Sequence, residues 1–229
     1  MPRRARKVER AAAGLLLLAT APVSLAVAVG IWLTDGGPVF YLAERAGLDG
    51  ARFRIRKFRT MRRGADAGAR IAGPRDSRVF PFGAFLRRLR LDELPQLLNI
   101  VRGEMAFVGP RPEDPWIVDH AYTTADRETL AVLPGLTSPG TLYYVAHAEQ
   151  FLSNTDAETA YLMGPLRNKL ELDRLYVARA SASHDLRLIF ETAWVLVCVA
   201  CGRKYVSSEG NHTHVDTRQA PARMPSRHP

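Results

Sequence analysis

Residues 11–33 read AAAGLLLLATAPVSLAVAVGIWL, with no charged side chain and with Pro22 at the centre. A helix rises about 1.5 Å per residue and about 20 apolar residues cross a hydrocarbon core, so this stretch is long enough for a membrane. The preceding MPRRARKVER carries five Arg or Lys and one Glu. Positive flanks stay on the cytoplasmic side, so a straight span would put the rest of the chain outside the cell. A bend at Pro22 would instead return both ends to one side, because proline removes an intrahelical donor and clashes with the preceding turn. Thr20 and Ser24 are placed to re-satisfy freed backbone groups. A secretory signal is a third reading, but the apolar run is too long for one and no polar cleavage region follows. The residues alone leave span and bend open, and that choice decides where the remaining chain can work.

A chain of 229 residues fits one domain with appendages. These are a basic N-terminus at 1–10, the apolar segment 11–33, a domain at 34–204, and a tail at 205–229. The tail lacks a hydrophobic pattern and is expected to be disordered, which makes its NHT triplet uninformative on a cytoplasmic end. Net charge is +9 and clustered: the N-terminus, seven Arg or Lys within ARFRIRKFRTMRR (51–63), then Arg87, Arg88 and Arg90. Such clusters favour anionic partners, and beside an apolar segment they suit anionic membrane lipid and a phosphorylated substrate. No nucleic-acid partner is expected, since no helix-turn-helix, zinc-finger or RNA-binding signature accompanies them. Cys198 and Cys201 form a CVAC in an apolar run with no second pair, so they read as small helix residues. The six histidines are scattered and suggest no metal site.

The pattern predicts an α+β domain, mostly helical with a small β element. PVFYLAE reads as a short strand, and ARFRIRKF alternates apolar and basic residues with period two. Residues 62–78 read as loop. Phe82, Phe85, Leu86, Leu89, Leu94, Leu97 and Leu98 have helical spacing, which Pro95 should break into two short helices. AFVGPRPEDP reads as a proline-rich loop and IVDHAYTTADRETLAVL as a helix. Residues 164–178 are amphipathic, with Leu170, Leu172, Leu175 and Val177 as apolar positions. DLRLIFETAWVLVCVACGRKY is a second apolar helix whose uncharged run, 192–201, is short for a span and suits the core or a membrane interface.

Two features could carry chemistry. Asp92 and Glu93 are adjacent, with Arg88 four residues ahead of Asp92 and Arg90 three ahead of Glu93. Ordinary surface ion pairing accounts for such spacing. So does a functional arrangement: one carboxylate attacks phosphorus, the other holds a divalent cation such as Mg²⁺, and arginines neutralise the phosphate oxygens. The second feature is GPRP, where Gly109 permits close approach and Pro110 and Pro112 stiffen the backbone around Arg111. A solvated turn is the plainer reading, and a pre-oriented guanidinium for a diphosphate the functional one. Glu113 and Asp114 are further acidic neighbours. The P-loop pattern GxxxxGK[ST] is absent.

Taken together, GGPVFY (36–41), FRIRKFRTMRR (53–63), FLRRLRLDELPQLLNIVRGEMAFVGPRP (85–112), LPGLT (133–137) and LELDRLYVARASASHDLRLIFETAW (170–194) resemble the bacterial sugar transferase family. These are the monotopic phosphoglycosyl transferases that start glycan assembly on polyprenyl phosphate. The resemblance covers most of residues 12–200. It implies transfer of a sugar-1-phosphate from a UDP-sugar to polyprenyl (undecaprenyl) phosphate with release of UMP, initiating exopolysaccharide, capsule, O-antigen or glycoprotein glycan synthesis. It implies that Asp92 is the nucleophile and that Glu93 helps bind Mg²⁺. Arg87 matches the family arginine five residues before the aspartate. Arg111, with Pro110 and Pro112, matches the phosphate-handling loop, and Arg88, Lys57 and Arg59 are the remaining candidates for phosphate.

The resemblance also selects the re-entrant form. A cytoplasmic UDP-sugar cannot meet Asp92 across the bilayer, so a bend at Pro22 and a location on the cytoplasmic face of the bacterial inner membrane follow. A homo-oligomer is compatible with it. Three departures stand out. The family's central Ser-Pro is Ala21–Pro22 here. The four-helix extension of larger members does not precede residue 1, which suggests the short form. Members continue from PGxTG into a WQVxGR segment, whereas this chain has PGLTSPGTLYYVAHAEQF. The divergence at 138–164 leaves the sugar unassigned and makes a relative with lost or altered activity the alternative.

Overall fold

The computed structural model describes residues 3–65, 71, 76–151 and 157–201. The tail expected to be disordered lies outside these residues, as do 66–70 and 72–75 of the loop expected at 62–78. Helices α1 (Arg3–Ala19) and α2 (Ala21–Asp35) form a pair bent by 57°. Helix thus takes in residues 3–10 of the basic N-terminus, which the sequence sets apart from the apolar segment. The break falls at Thr20 rather than at Pro22. Proline is best tolerated in a first helical turn, where its missing N–H leaves no bond unmade, and Pro22 occupies the first turn of α2. The Thr20 hydroxyl donates to the Leu16 carbonyl at 2.7 Å, returning one bond at the break. Among the described residues no single helix is long and apolar enough to cross a membrane; only when its two halves are counted together does this bent pair reach such a length and composition, the pattern of a broken span or a re-entrant loop.

One face of the pair packs on the domain. Ala13 of α1 is fully buried against Ile55, Leu97, Ile100 and Met105, and Val27 and Ile31 of α2 against Phe58, Phe80 and Leu86. At Gly30 the Phe82 ring lies close over the helix, and a Cβ there would meet it at 2.5 Å and displace it. Outer positions Leu15, Leu18, Leu25, Trp32 and Leu33 are exposed. Polar contacts tie down both ends. Arg10 Nε donates to the Val101 carbonyl at 2.7 Å, and Glu9 accepts from the Phe107 N–H at 2.7 Å. At the far end Arg59 donates to the Pro38 and Gly36 carbonyls, each at 2.6 Å, and pairs with Asp35.

Strands β1 (Phe40–Ala46) and β2 (Arg52–Phe58) fall on the two stretches expected as strands, and they pair as an antiparallel ladder with Ala43 opposite Ile55. Ile55 and Phe58 enter the core. Next come α3 (Pro81–Arg88), a 3-10 turn (Leu91–Gln96) and α4 (Leu97–Arg102). The expected break at Pro95 lies earlier, at Leu89–Arg90, where Arg90 is left-handed with φ 57°. Pro95 sits inside the 3-10 turn, whose i→i+3 geometry avoids the carbonyl clash of an α-helix. The segment read as a proline loop begins as strand β3 (Ala106–Val108), which pairs in parallel with β4 (Gly135–Thr137).

The single helix expected over 117–133 is two pieces, α5 (Pro115–Ala121) and a 3-10 turn (Asp126–Ala131). Between them the Thr123 N–H and hydroxyl both donate to the Asp126 carboxylate, at 2.8 and 2.7 Å. Local side-chain bonds of this kind compete with helix propagation. Helices α6 (Pro139–Phe151), α7 (Ala157–Met163), α8 (Pro165–Arg179) and α9 (Ala182–Ala200) complete the described chain. On α8, Leu170 and Leu172 are buried as expected, but Leu175 is 46% exposed and Lys169 and Asp173 are inside instead. Helix α9 buries Leu188 and Val195 against Val108, Leu142 and Tyr176, and exposes Leu186, Phe190, Trp194 and Val197. Cys198 and Cys201 are free thiols near its end.

Candidate active site

The 3-10 turn Leu91–Gln96 carries the acidic pair on its first residues. Asp92 is 7% exposed, and its Oδ1 is buried without a hydrogen-bond partner. Burial, and then the neighbouring Glu93, push its carboxyl above the ordinary value, against the pull of Lys57, Arg90 and Arg87. Glu93 has the opposite surroundings. Its Oε1 accepts from Lys57 Nζ and Arg90 NH1, each at 3.2 Å, and from Arg111 NH2, while its Oε2 accepts from Arg111 NH1 at 3.2 Å. Burial works against ionisation of Glu93, yet Arg111, Lys57 and Arg90 together hold it well below the usual carboxylate range. Arg111 is raised in return: burial opposes its charge, but Glu93 outweighs burial. Lys57 is pulled down by burial, with Glu93 opposing.

These side chains reach one place through four segments. Lys57 comes from β2, Arg87 from the end of α3, and Arg90 from the left-handed residue that swings the chain into the turn. Arg111 comes from the loop after β3. That loop is held by close backbone packing. Gly109 N–H donates to Thr137 O at 2.9 Å and Gly135 N–H to Pro110 O at 3.0 Å. A Cβ on Gly109 would lie 2.4 Å from the Leu133 carbonyl oxygen, and one on Gly135 would lie 2.2 Å from the Gly109 nitrogen. GPRP and LPGLT are therefore two halves of one clamp that aims Arg111. On its far side Glu113 is buried, accepting from Lys169 and from the Tyr161 hydroxyl at 2.5 Å.

The structure gathers Asp92, Glu93, Lys57 and Arg111 as expected, and places Arg87 close enough for its charge to be felt at Asp92. Arg87 Nε donates to the Thr60 hydroxyl at 2.7 Å. Arg88 is exposed on the last turn of α3 rather than paired with Asp92. Arg59 is 6% exposed and is occupied by the exit from α2. Arg90 was legible from its i,i+3 spacing to Glu93 yet is not among the phosphate candidates. The N…RGE part of the motif is structural: Asn99 Nδ2 donates to Glu104 at 2.6 Å, and Arg56 pairs with Glu104 at 3.3 Å.

Mg²⁺ binds through one or two carboxylates completed by substrate phosphates and water, so a carboxylate pair suits it in kind. The unpartnered Asp92 oxygen fits such an ion. Glu93 does not fit in this arrangement, because both its oxygens are taken by cations. Among the described residues no cluster of three or more His, Cys, Asp or Glu side chains could hold a metal.

Residues 3–199 match the bacterial sugar transferase family, and the chain belongs to that family. A UDP-glucose:undecaprenyl-phosphate glucose-1-phosphate transferase of Xanthomonas campestris pv. campestris is 35% identical over 183 residues, 78% of this chain and 36% of that protein. A protein of the same description from Caulobacter vibrioides is 36% identical over 195 residues, 82% of this chain and 68% of its own. The exopolysaccharide production protein ExoY of Rhizobium meliloti is 35% identical over 216 residues, 86% of each chain. The chain thus spans little more than a third of the Xanthomonas relative and most of ExoY.

Proposed function

We propose that this chain is a polyprenyl-phosphate sugar-1-phosphate transferase working from the cytoplasmic face of the bacterial inner membrane. Its donor is a UDP-sugar and its acceptor undecaprenyl phosphate, and its product starts an envelope or secreted glycan. Asp92 attacks the phosphorus that bears the sugar. The bond from that phosphorus to the bridging oxygen breaks, UMP leaves with the oxygen, and the sugar phosphate stays on the carboxylate. An oxygen of the lipid phosphate then attacks the same phosphorus, and the Asp92 carboxylate is released.

The observation that carries this reading is the contrast within the acidic pair. Glu93 is spent on Lys57, Arg90 and Arg111, while Asp92 keeps a buried oxygen with no partner. A carboxylate raised by burial is a better nucleophile than a solvated one. Glu93 holds three cations beside it, where they can meet the diphosphate oxygens. Mg²⁺, when bound, would supply further charge neutralisation at the diphosphate. Asp92 is the residue that would meet it, and Glu93 could do so only by giving up part of its cation contacts. The bent pair α1–α2 is the re-entrant membrane element of this proposal, with its exposed outer face and that of α9 toward lipid.

The test is adduct formation. Detergent-solubilised protein is incubated with sugar- and phosphorus-labelled UDP-sugars without lipid acceptor. Label should remain on the wild-type protein, be chased by polyprenyl phosphate, and be absent from Asp92→Asn. Equal labelling of the two proteins would remove Asp92 from the reaction. Absence of UMP release across a panel of UDP-sugars, from folded protein given lipid acceptor, would favour a family member with altered activity.

A further inference from the structure

Helix α6 opens the segment in which this chain departs from the family pattern, and Tyr144 on it takes no part in the chemistry above. Among the described residues five tyrosines are buried or half-buried. Four have a partner for the hydroxyl. Tyr122 bonds Thr129, Tyr143 accepts from Asn168 Nδ2 at 2.7 Å, Tyr161 donates to Glu113 at 2.5 Å, and Tyr176 donates to Asp185 at 2.6 Å. Tyr144 is the fifth, and no described residue bonds its hydroxyl. Tyrosines inside a fold normally find a partner, so this one calls for a reason. Its ring is held all the same. It meets the Tyr161 ring edge-on, with centroids 5.6 Å apart, and packs against the cluster that contains Ile117 and Leu166. Tyr161 leads through Glu113 to Arg111, two residues earlier in the loop. Burial is the main cause that raises the Tyr144 phenol, and the charges acting on it are those of Glu113, Arg90 and Arg111. Arg90 and Arg111 come from separate segments and meet at Glu93. Tyr144 thus lies beside the cation cluster, with a packed ring and an open hydroxyl.

We infer that Tyr144 is a sugar-discriminating contact, its hydroxyl bonding a hydroxyl on the sugar of the donor. The inference rests on the UDP-sugar reading above. In that reading Asp92 attacks the phosphorus that bears the sugar, and Lys57, Arg90 and Arg111 meet the diphosphate charge. The next group along the donor is the sugar, a neutral polyol. A phenol suits it, since it donates one hydrogen bond, accepts others, and stays protonated at neutral pH. A further cation there would add affinity for phosphate and no choice between sugars. A rigid ring also holds the hydroxyl in one place at little cost in conformational entropy. Tyr144 sits in the segment where this chain leaves the family pattern, the place expected of a residue that chooses among sugars.

Tyr144→Phe tests it, because phenylalanine keeps the ring against Tyr161 and deletes the hydroxyl alone. With no protein partner to lose, the melting temperature should stay within about 2 °C of wild type. Adduct formation without lipid is followed with UDP-glucose, UDP-galactose, UDP-N-acetylglucosamine and UDP-N-acetylgalactosamine. The variant should lose about tenfold in kcat/KM on the sugar that wild type prefers and less on the others, which narrows the spread between them. UDP carries no sugar and should inhibit both proteins equally. An unchanged rate on all four donors would overturn the inference, and so would an equal loss on all four. Weaker inhibition of the variant by UDP would overturn it too, by putting the hydroxyl on the diphosphate. A larger fall in melting temperature would do the same, by showing that the hydroxyl holds the fold. Wild type run alongside separates the failures. If it forms no adduct with any of the four, the UDP-sugar reading falls and this inference with it. If it does and Tyr144→Phe matches it on each donor, only the role of Tyr144 falls.

Discussion

Asp173 shows at the level of one residue how burial is traded against ionisation in this fold. It is fully buried on α8, accepts from the Gly140 N–H at 2.9 Å, and keeps its Oδ2 unpartnered. Burial pushes its carboxyl up to about 6, with Lys169 opposing. A carboxyl raised on folding takes up a proton more readily folded than unfolded. Its contribution to stability is therefore present below the unfolded value and is lost as pH rises through about 6. The loss is on the order of 3 kcal/mol by neutral pH. Asp92, also raised, has the same sign. Glu93 and Glu113, held below the ordinary 4.5, lose their stabilising contribution only at lower pH. Denaturant unfolding at about pH 5 and about pH 7 should thus show lower stability at the higher pH for wild type. Asp173→Asn should shrink that difference, and Asp92→Asn should raise the melting temperature at neutral pH while abolishing the adduct. A stability that climbs from pH 5 to 7 equally in all three proteins would contradict the burial argument.

At the scale of elements, the junction of β3 and β4 is the place to separate packing from charge. Gly135→Ala puts a methyl 2.2 Å from the Gly109 nitrogen, so one of the two strands must move and Arg111 with it. Overpacking of this sort costs about 1–3 kcal/mol. The expected result is a lower melting temperature together with loss of adduct formation, although no charged residue has changed. Activity at the wild-type level would mean that Arg111 is aimed by something other than this clamp. Strand β2 was readable because Phe53, Ile55 and their basic neighbours alternate with a period of two over its length; its pairing with β1 is a finding of the structure. The β3–β4 pairing was not, since three-residue strands have no period and a parallel partner lies 29 positions away between Ala106 and Gly135. The split at Thr123 was written in the sequence as the capping spacing Thr123-x-x-Asp126, each residue bonding the other's backbone N–H, and the helical reading ran through it. Asp92, Glu93 and Arg111 were legible as words of a motif. The exposure of Arg88 and the capture of Arg59 by Asp35 depend on which way a helix end turns, and spacing alone does not carry that.

For the molecule as a whole, the bent pair α1–α2 and the exposed apolar side chains of α9 set where it can reside. The proposed re-entrant topology puts position 3 and the β1–β2 hairpin on the same, cytoplasmic, side. In a variant with Cys198 and Cys201 replaced by serine, single cysteines at Arg3 and at exposed Arg54 should both react with an impermeant thiol reagent only after permeabilisation. Pro22→Leu should let a fraction of molecules span and label from opposite sides. Opposite-side labelling of the parent protein would end the re-entrant reading. The contacts that seat α1 add a question of timing. Arg10 waits for Val101 and Glu9 for Phe107, partners 91 and 98 positions further along the chain. At ribosomal speed that is roughly 5–20 s during which the nascent apolar pair has no domain to rest on. In the proposed setting only lipid is there to receive it. On that proposal the bilayer would be the first surface the pair can pack on, before the loop bearing Arg111 has been made.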